Sequence, residues 1–221
     1  MKNTSYRFVY LPGLGFTCEV FGLLHPEGSE VVHLEWQAPL HRESLREYSL
    51  RLIEGLPAFD GKTVIVAYSF GGLVAQEIHK HVQADSIYLI SSIRSGAENP
   101  LRFRLIGRLG LHWLFTKRLI FWSFPFWKRQ FGFSEKAAQD LFLRMVSRQD
   151  NRYLQWALYQ LAIWEGPSEP VDVRQIHGAK DRTFPIQKLK EVDHVVEDGN
   201  HMMVYYQSEV LKELIQAEVL G

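Results

Sequence analysis

Apolar positions follow two rhythms along this chain. Arg7-Phe8-Val9-Tyr10-Leu11 is a short run halted by Pro12-Gly13, the pattern of a strand entering a turn. Cys18 to His25 reads as a short helix and Val31 to Trp36 as a second strand. From Ser44 to Leu56, the residues Leu45, Tyr48, Leu52 and Leu56 recur on one helical face. Ser44 is placed to cap that helix, with Glu47 three residues on to close a capping box. Thr63-Val64-Ile65-Val66-Ala67-Tyr68 is β-branched and nearly all apolar, as a strand buried on both faces requires. A helix from Ser69 to His81 follows, and then another buried strand over Ser86–Ile90.

Ser95 to Gly166 breaks this alternation. It has helical periodicity, no strand run bounded by turns, and 15 of the 29 aromatic residues. The strand–helix rhythm then resumes, with a strand over Val171–Ile176, a helix over Pro185–Glu191 and a strand over His194–Glu197. A closing amphipathic helix spans about Gln207 to Ala217. Strands alternating with helices imply right-handed crossovers and a parallel sheet. The expected fold class is α/β: a mostly parallel central sheet flanked by helices, built from residues 1–94 and 167–221. Residues 95–166 are expected to form a helical lid inserted after the Ser86–Ile90 strand, which follows the Ser69–His81 helix. There is no internal repeat and no low-complexity linker.

Charge and composition narrow the function. With 25 basic and 25 acidic residues the net charge is zero, which argues against general nucleic-acid binding. A single cysteine, Cys18, excludes a disulfide framework and a cysteine-rich zinc site. His79 and His81, two apart on a helix, do not face each other and make a poor metal pair. No apolar run approaches the roughly 18 residues of a membrane-spanning helix, and the start lacks the apolar core of a secretory signal. A cytoplasmic protein without metal or cofactor is therefore expected; the oligomeric state is left open.

The strongest chemical signal is Ala67-Tyr68-Ser69-Phe70-Gly71-Gly72, where a buried strand runs into a serine and a helix leaves at once. Small residues two positions either side of the serine, Ala67 and Gly71, let strand and helix approach closely. A serine hydroxyl needs a base to take its proton and a third group to orient that base. His177-Gly178-Ala179-Lys180-Asp181 and Asp198-Gly199-Asn200-His201 each follow a strand. Their loops therefore open at the same edge of a parallel sheet as Ser69. Asp198 is a local rival to Asp181, but it lies too close in sequence to His201 to reach its ring easily.

These three segments resemble the α/β-hydrolase superfamily, whose order is serine, then acid, then histidine. The likeness covers the chain outside Ser95–Gly166 and implies a catalytic triad of Ser69, Asp181 and His201. The strand after the elbow helix, where other family members carry the acid, ends here in Ser91-Ser92 without a carboxylate, which favours Asp181. Leu11-Pro12-Gly13-Leu14-Gly15-Phe16 resembles the family's oxyanion loop, with Pro12 where histidine is usual and Ala67 where the elbow usually has glycine. The resemblance implies Phe70 and Leu14 N–H as oxyanion donors. It also implies hydrolysis of an ester, thioester or related acyl compound through an acyl-enzyme. A carbon–carbon hydrolase or lyase acting on an anionic substrate, or a non-catalytic lidded binding protein, are the alternatives.

Arg94 to Arg129 holds eight basic residues and one acidic, Glu98. Within it, Leu119-Ile120-Phe121-Trp122-Ser123-Phe124-Pro125-Phe126-Trp127 is flanked by basic pairs. The favoured reading is a lid over an apolar pocket, with Trp122 and Phe126 contacting a small-molecule acyl substrate that has an apolar part. Two other readings are an element resting on anionic lipid and a cap that merely packs its aromatics. Pro125 argues against one continuous helix lying on a membrane.

Overall fold

The computed structural model describes residues 5–22, 24, 26 and 28–220. Six strands form a single sheet: β1 (Tyr6–Leu11), β2 (Glu30–His33), β3 (Lys62–Tyr68), β4 (Ala84–Ile90), β5 (Arg174–Gly178) and β6 (His194–Val196). Their spatial order is β2-β1-β3-β4-β5-β6, and every adjacent pair is parallel. All strand C-termini therefore open at one edge. The order reverses direction between β1 and β3, so the loops after these two strands lie side by side at the switch point where open α/β sheets bind ligands. From Thr63 onward β3 is buried at every position, in keeping with its unbroken apolar sequence.

Helix α1 (Leu45–Leu52) begins with the expected capping box: Ser44 Oγ accepts from Glu47 N–H, and the Glu47 carboxylate accepts from Ser44 N–H at 2.9 Å. Helix α2 (Gly71–Ile78) leaves β3 almost at once and ends three residues before His81. The helix expected over Cys18–His25 is a 3₁₀ turn, Cys18–Phe21, stopped by Gly22 in the left-handed region at φ 54°; Leu23 and His25 lie outside the described residues. Pro185–Glu191 is likewise only a 3₁₀ turn, Ile186–Lys188, without a buried residue to hold a longer helix down. β5 starts at Arg174 rather than Val171, because its ladder to β4 covers only Arg174–Ile176.

Between β4 and β5 the chain forms four helices and no strand: α3 (Leu101–Arg108), α4 (Lys117–Phe131), α5 (Lys136–Arg148) and α6 (Asn151–Ile163). Phe124, Phe142, Leu154 and Ala157 join α4, α5 and α6 to the same apolar core as the sheet, and the partly buried Phe103 and Ile106 of α3 pack against it. α4 runs through Pro125, contrary to the break expected there. Pro125 is exposed, so the carbonyl that loses its helical donor lies on the wet side of the helix. Met203–Tyr206 (α7) and Ser208–Leu220 (α8) close the chain. No helix among the described residues is long and apolar enough to cross a membrane.

One contact decides where α2 can sit. A Cβ on Gly71 would lie 2.5 Å from the Pro12 carbonyl oxygen and closer still to that of Leu11. Only a residue without a side chain allows α2 to start against the end of β1. Gly71→Ala should therefore cost about 1–3 kcal/mol through overpacking against rigid backbone. Urea denaturation of the variant beside wild type measures this, and an unchanged midpoint and slope would refute the close-approach argument.

Candidate active site

Ser69 occupies the first position after β3 with φ 52°, a left-handed backbone that a residue with a side chain rarely adopts. Three hydrogen bonds hold it there. Ser69 N–H donates to Ile90 O at 2.9 Å, and its carbonyl accepts from Gly72 N–H at 3.0 Å and from Ser92 Oγ at 2.7 Å. This turn points the side chain away from the strand axis and towards the loops after β5 and β6.

Those loops are laced to each other. Ala179 N–H donates to Val196 O at 3.0 Å and Lys180 N–H to Gly199 O at 2.8 Å. Gly178 and Gly199 face one another so closely that a Cβ on either would overlap the other's backbone. Across this joint, His201 Nδ1 lies 2.8 Å from Asp181 Oδ2, and His201 Nε2 lies 3.1 Å from Ser69 Oγ. The other Asp181 oxygen, Oδ1, accepts from Thr183 N–H at 2.7 Å and Phe184 N–H at 3.0 Å. Tyr68, Phe131 and Phe184 place their rings 5.4, 5.4 and 5.7 Å from the imidazole, and His201 is buried. Asp198, the local rival, instead pairs with Lys180 Nζ at 2.6 Å on the surface.

Burial pushes the Asp181 carboxyl up, but the His201 imidazole, its hydrogen bond and the nearby His177 outweigh this, so the net direction is down from 3.8. Asp181 is thus kept as a carboxylate, which can only accept, so His201 Nδ1 carries the proton of that bond and Nε2 faces the serine. Phe70 N–H directly follows Ser69, and Leu14 lines the cavity above it. Neither amide donates to another described residue, so both are free to meet a ligand oxygen.

The cavity over Ser69 and His201 has a volume of about 350 Å³. Phe16, Phe142 and Val146 wall one part of it, and Phe103, Ile120 and Trp127 another. Among its lining residues the one cation is Arg102, and its Nη2 is engaged by Arg182 O at 2.9 Å and Thr183 O at 2.6 Å. Trp122 and Phe126, expected to contact substrate, do not line this cavity. They are 71% and 78% exposed on the outer arc of α4, while Leu119, Ile120, Ser123 and Trp127 fill the inner arc. An aromatic-rich segment signals burial only on one side of a helix, and which side cannot be read without its packing partner.

Sequence reasoning also missed a polar scaffold behind the elbow. Gln175 Nε2 donates to Ser92 O at 2.9 Å, Arg94 Nε donates to Gln175 Oε1 at 3.0 Å, and Arg94 Nη2 reaches Asp193 at 2.5 Å. The signal available was Ser91-Ser92 at the end of β4, whose only evident property in sequence was the lack of a carboxylate. His177 was missed too. It is fully buried, its Nε2 is 2.8 Å from Phe184 O and 3.4 Å from Asp181 Oδ2, and its Nδ1 has no partner.

This arrangement agrees with what the comparisons find. The sequence model described as the alpha/beta hydrolase family matches residues 8–214, and the chain belongs to that family. No functionally curated protein matches the sequence. Among solved structures, the esterase EaEST from Exiguobacterium antarcticum is similar with a TM-score of 0.71 at 14% identity, covering 99% of this chain and 93% of its own. The RedJ thioesterase of the Streptomyces coelicolor prodiginine pathway gives 0.63 at 14% identity, covering 96% and 85%. A Bacillus megaterium epoxide hydrolase gives 0.69 at 10% identity, covering 100% and 95%. At these identities the likeness establishes the fold.

His177 generates a pH prediction. Burial, opposed by the charge of Asp181, lowers its pKa from 6.5. The unfolded chain therefore takes up the proton first as pH falls. The stability this group contributes is complete above pH 6.5 and shrinks as pH drops toward the folded value. Asp181, also depressed, adds its loss only below 3.8. Thermal midpoints should fall between about pH 7 and pH 5, and His177→Gln should flatten that slope; parallel slopes for the two proteins would contradict the assignment.

Proposed function

We propose that the protein is a serine hydrolase that cleaves esters or thioesters of apolar acyl groups. The observation that carries this reading is the unbroken hydrogen-bonded chain from Ser69 Oγ through the His201 ring to Asp181, with its serine end open to an apolar cavity. In this reading Ser69 Oγ attacks the acyl carbon while His201 Nε2 takes its proton. Asp181 holds the ring and stabilises the imidazolium. The tetrahedral oxyanion is met by Phe70 and Leu14 N–H. Collapse breaks the bond to the leaving group, which His201 protonates, leaving the acyl group on Ser69. Water, deprotonated by the same histidine, then attacks the acyl-enzyme and releases the acid.

Residues 95–166 serve as a cap in this scheme, since α3 and α4 supply much of the wall above the serine. The apolar lining supports an acyl chain as the enclosed part of the substrate. A carbon–carbon hydrolase with an anionic substrate is less well supported, because Arg102 already satisfies two backbone carbonyls. Serine rather than a carboxylate at the elbow argues against epoxide opening by an aspartyl ester.

A fluorophosphonate probe should label wild type at Ser69 and fail on Ser69→Ala. Turnover of p-nitrophenyl butyrate should fall at least about a thousandfold in Ser69→Ala and His201→Ala, and by a comparable factor in Asp181→Asn. Equal turnover by wild type and Ser69→Ala would reject the mechanism. Absence of labelling and turnover in wild type would favour a binding protein, and turnover of styrene oxide but not of esters would redirect the assignment to another hydrolase chemistry.

A further inference from the structure

The outer surface of α3 and α4 is built unlike the rest of the molecule. Among the described residues, nine of the thirteen exposed large apolar residues lie between Leu101 and Phe126. Helix α3 has no buried residue at all. Its Phe103 and Ile106 face the cavity, while Leu101, Leu105 and Leu109 recur at i, i+4 and i+8 on the solvent side. The following turn exposes Leu111, Trp113 and Leu114. On α4, the Trp122 and Phe126 rings lie 6.1 Å apart and tilted at 46°, both turned outward, with Phe121 beside them. Exposed apolar side chains this concentrated in one segment mark an interaction surface.

Its charge identifies the partner. Arg104, Arg108, Lys117, Arg118, Lys128 and Arg129 are interleaved with these apolar side chains, and none forms an ion pair with a carboxylate among the described residues. Arg118, Trp122, Phe126 and Arg129 follow one another at helical spacing along the outer arc of α4. The one acid of the segment, Glu98, is buried and accepts from Arg94 N–H at 2.7 Å and Lys190 N–H at 3.0 Å. The patch is therefore cationic, although the whole chain is neutral. Exposed tryptophan, phenylalanine and leucine are interspersed with lysine and arginine, with no acid between Leu101 and Arg129 and the exposed Glu165 beside Arg104 and Arg108, and they match the boundary between anionic headgroups and acyl chains.

We propose that the α3–α4 face docks this protein on anionic lipid bilayers. Trp113, Trp122 and Phe126 enter the headgroup boundary, and the arginines and lysines contact lipid phosphates and carboxylates. A second copy of this chain fits less well, because a two-fold contact would bring identical cationic patches together. Helix α4 continues through Pro125, so it can lie on the surface along its whole 15 residues. The same two helices wall the cavity, so docking places that cavity beside the acyl-chain layer. Only this last consequence depends on the hydrolase reading.

The test is sedimentation of the purified full chain with vesicles of phosphatidylcholine alone, or with about a third phosphatidylserine. Wild type should pellet with the anionic vesicles, at least about tenfold less with neutral ones, and should be released by about 0.5 M NaCl. Trp122→Ser combined with Phe126→Ser, and separately Arg118→Glu combined with Arg129→Glu, should each cut binding at least about tenfold. Thermal midpoints and turnover of a soluble short-chain ester should stay at the wild-type values. Wild type remaining in the supernatant, or both double variants pelleting like wild type, would overturn the proposal. A wild-type dimer in light scattering that the Trp122 and Phe126 changes dissociate would overturn it as well, by giving the face to a second copy. Vesicle binding by Ser69→Ala separates this proposal from the catalytic one: a failed hydrolase reading leaves it intact.

Discussion

The structure around the site depends on holding Ser69 in a left-handed backbone conformation. That conformation costs on the order of 1–3 kcal/mol for a residue with a side chain. It persists because both peptide groups of Ser69 are tied, its N–H to β4 and its carbonyl to Gly72 and Ser92. The tie extends outward through Gln175 and Arg94 to Asp193, just before β6. The turn that presents the hydroxyl is thus braced by the same sheet half that carries Asp181 and His201. Gly71 completes the brace by letting α2 touch the end of β1, which also brings the Leu14 loop alongside.

Around this brace the molecule separates tasks by face. The sheet edge supplies three polar side chains in fixed relation, and the helices between β4 and β5 supply an apolar enclosure. Each of α3 and α4 has two sides, one toward the cavity and one toward solvent. Arg102 illustrates the division, since it reaches across to the carbonyls of Arg182 and Thr183 and so joins α3 to the acid loop.

The sheet was legible because its strands carry their own signal: the β-branched run of β3 and the apolar Ile87–Ile90 stretch of β4 suit strands covered on both faces. The site was legible because Ser69, Asp181 and His201 each stand just past a strand end, and parallel order brings such positions to one edge. What the sequence could not convey depended on partners far along the chain. Pro185 to Glu191 keeps only a 3₁₀ turn with no buried residue, and Leu189 just beyond it is only partly buried against the core. Trp122 and Phe126 are as apolar as Phe124 and Trp127, yet only the latter pair meets Phe142. Serine 92 and His177 work through backbone groups of Ser69 and Phe184, and no residue type announces such a contact.

The mutual approach of Gly178 and Gly199 has a mechanical meaning. With two backbone hydrogen bonds across the same joint, the carboxylate and the imidazole ride on one stiff block, while the hydroxyl belongs to another element of the sheet. Ser69 is joined to that block less directly, through the β4–β5 ladder and the Ser92–Gln175 hydrogen bond. The His201–Asp181 contact thus lies within one block, and the 3.1 Å separation of Ser69 Oγ from His201 Nε2 spans the boundary between two.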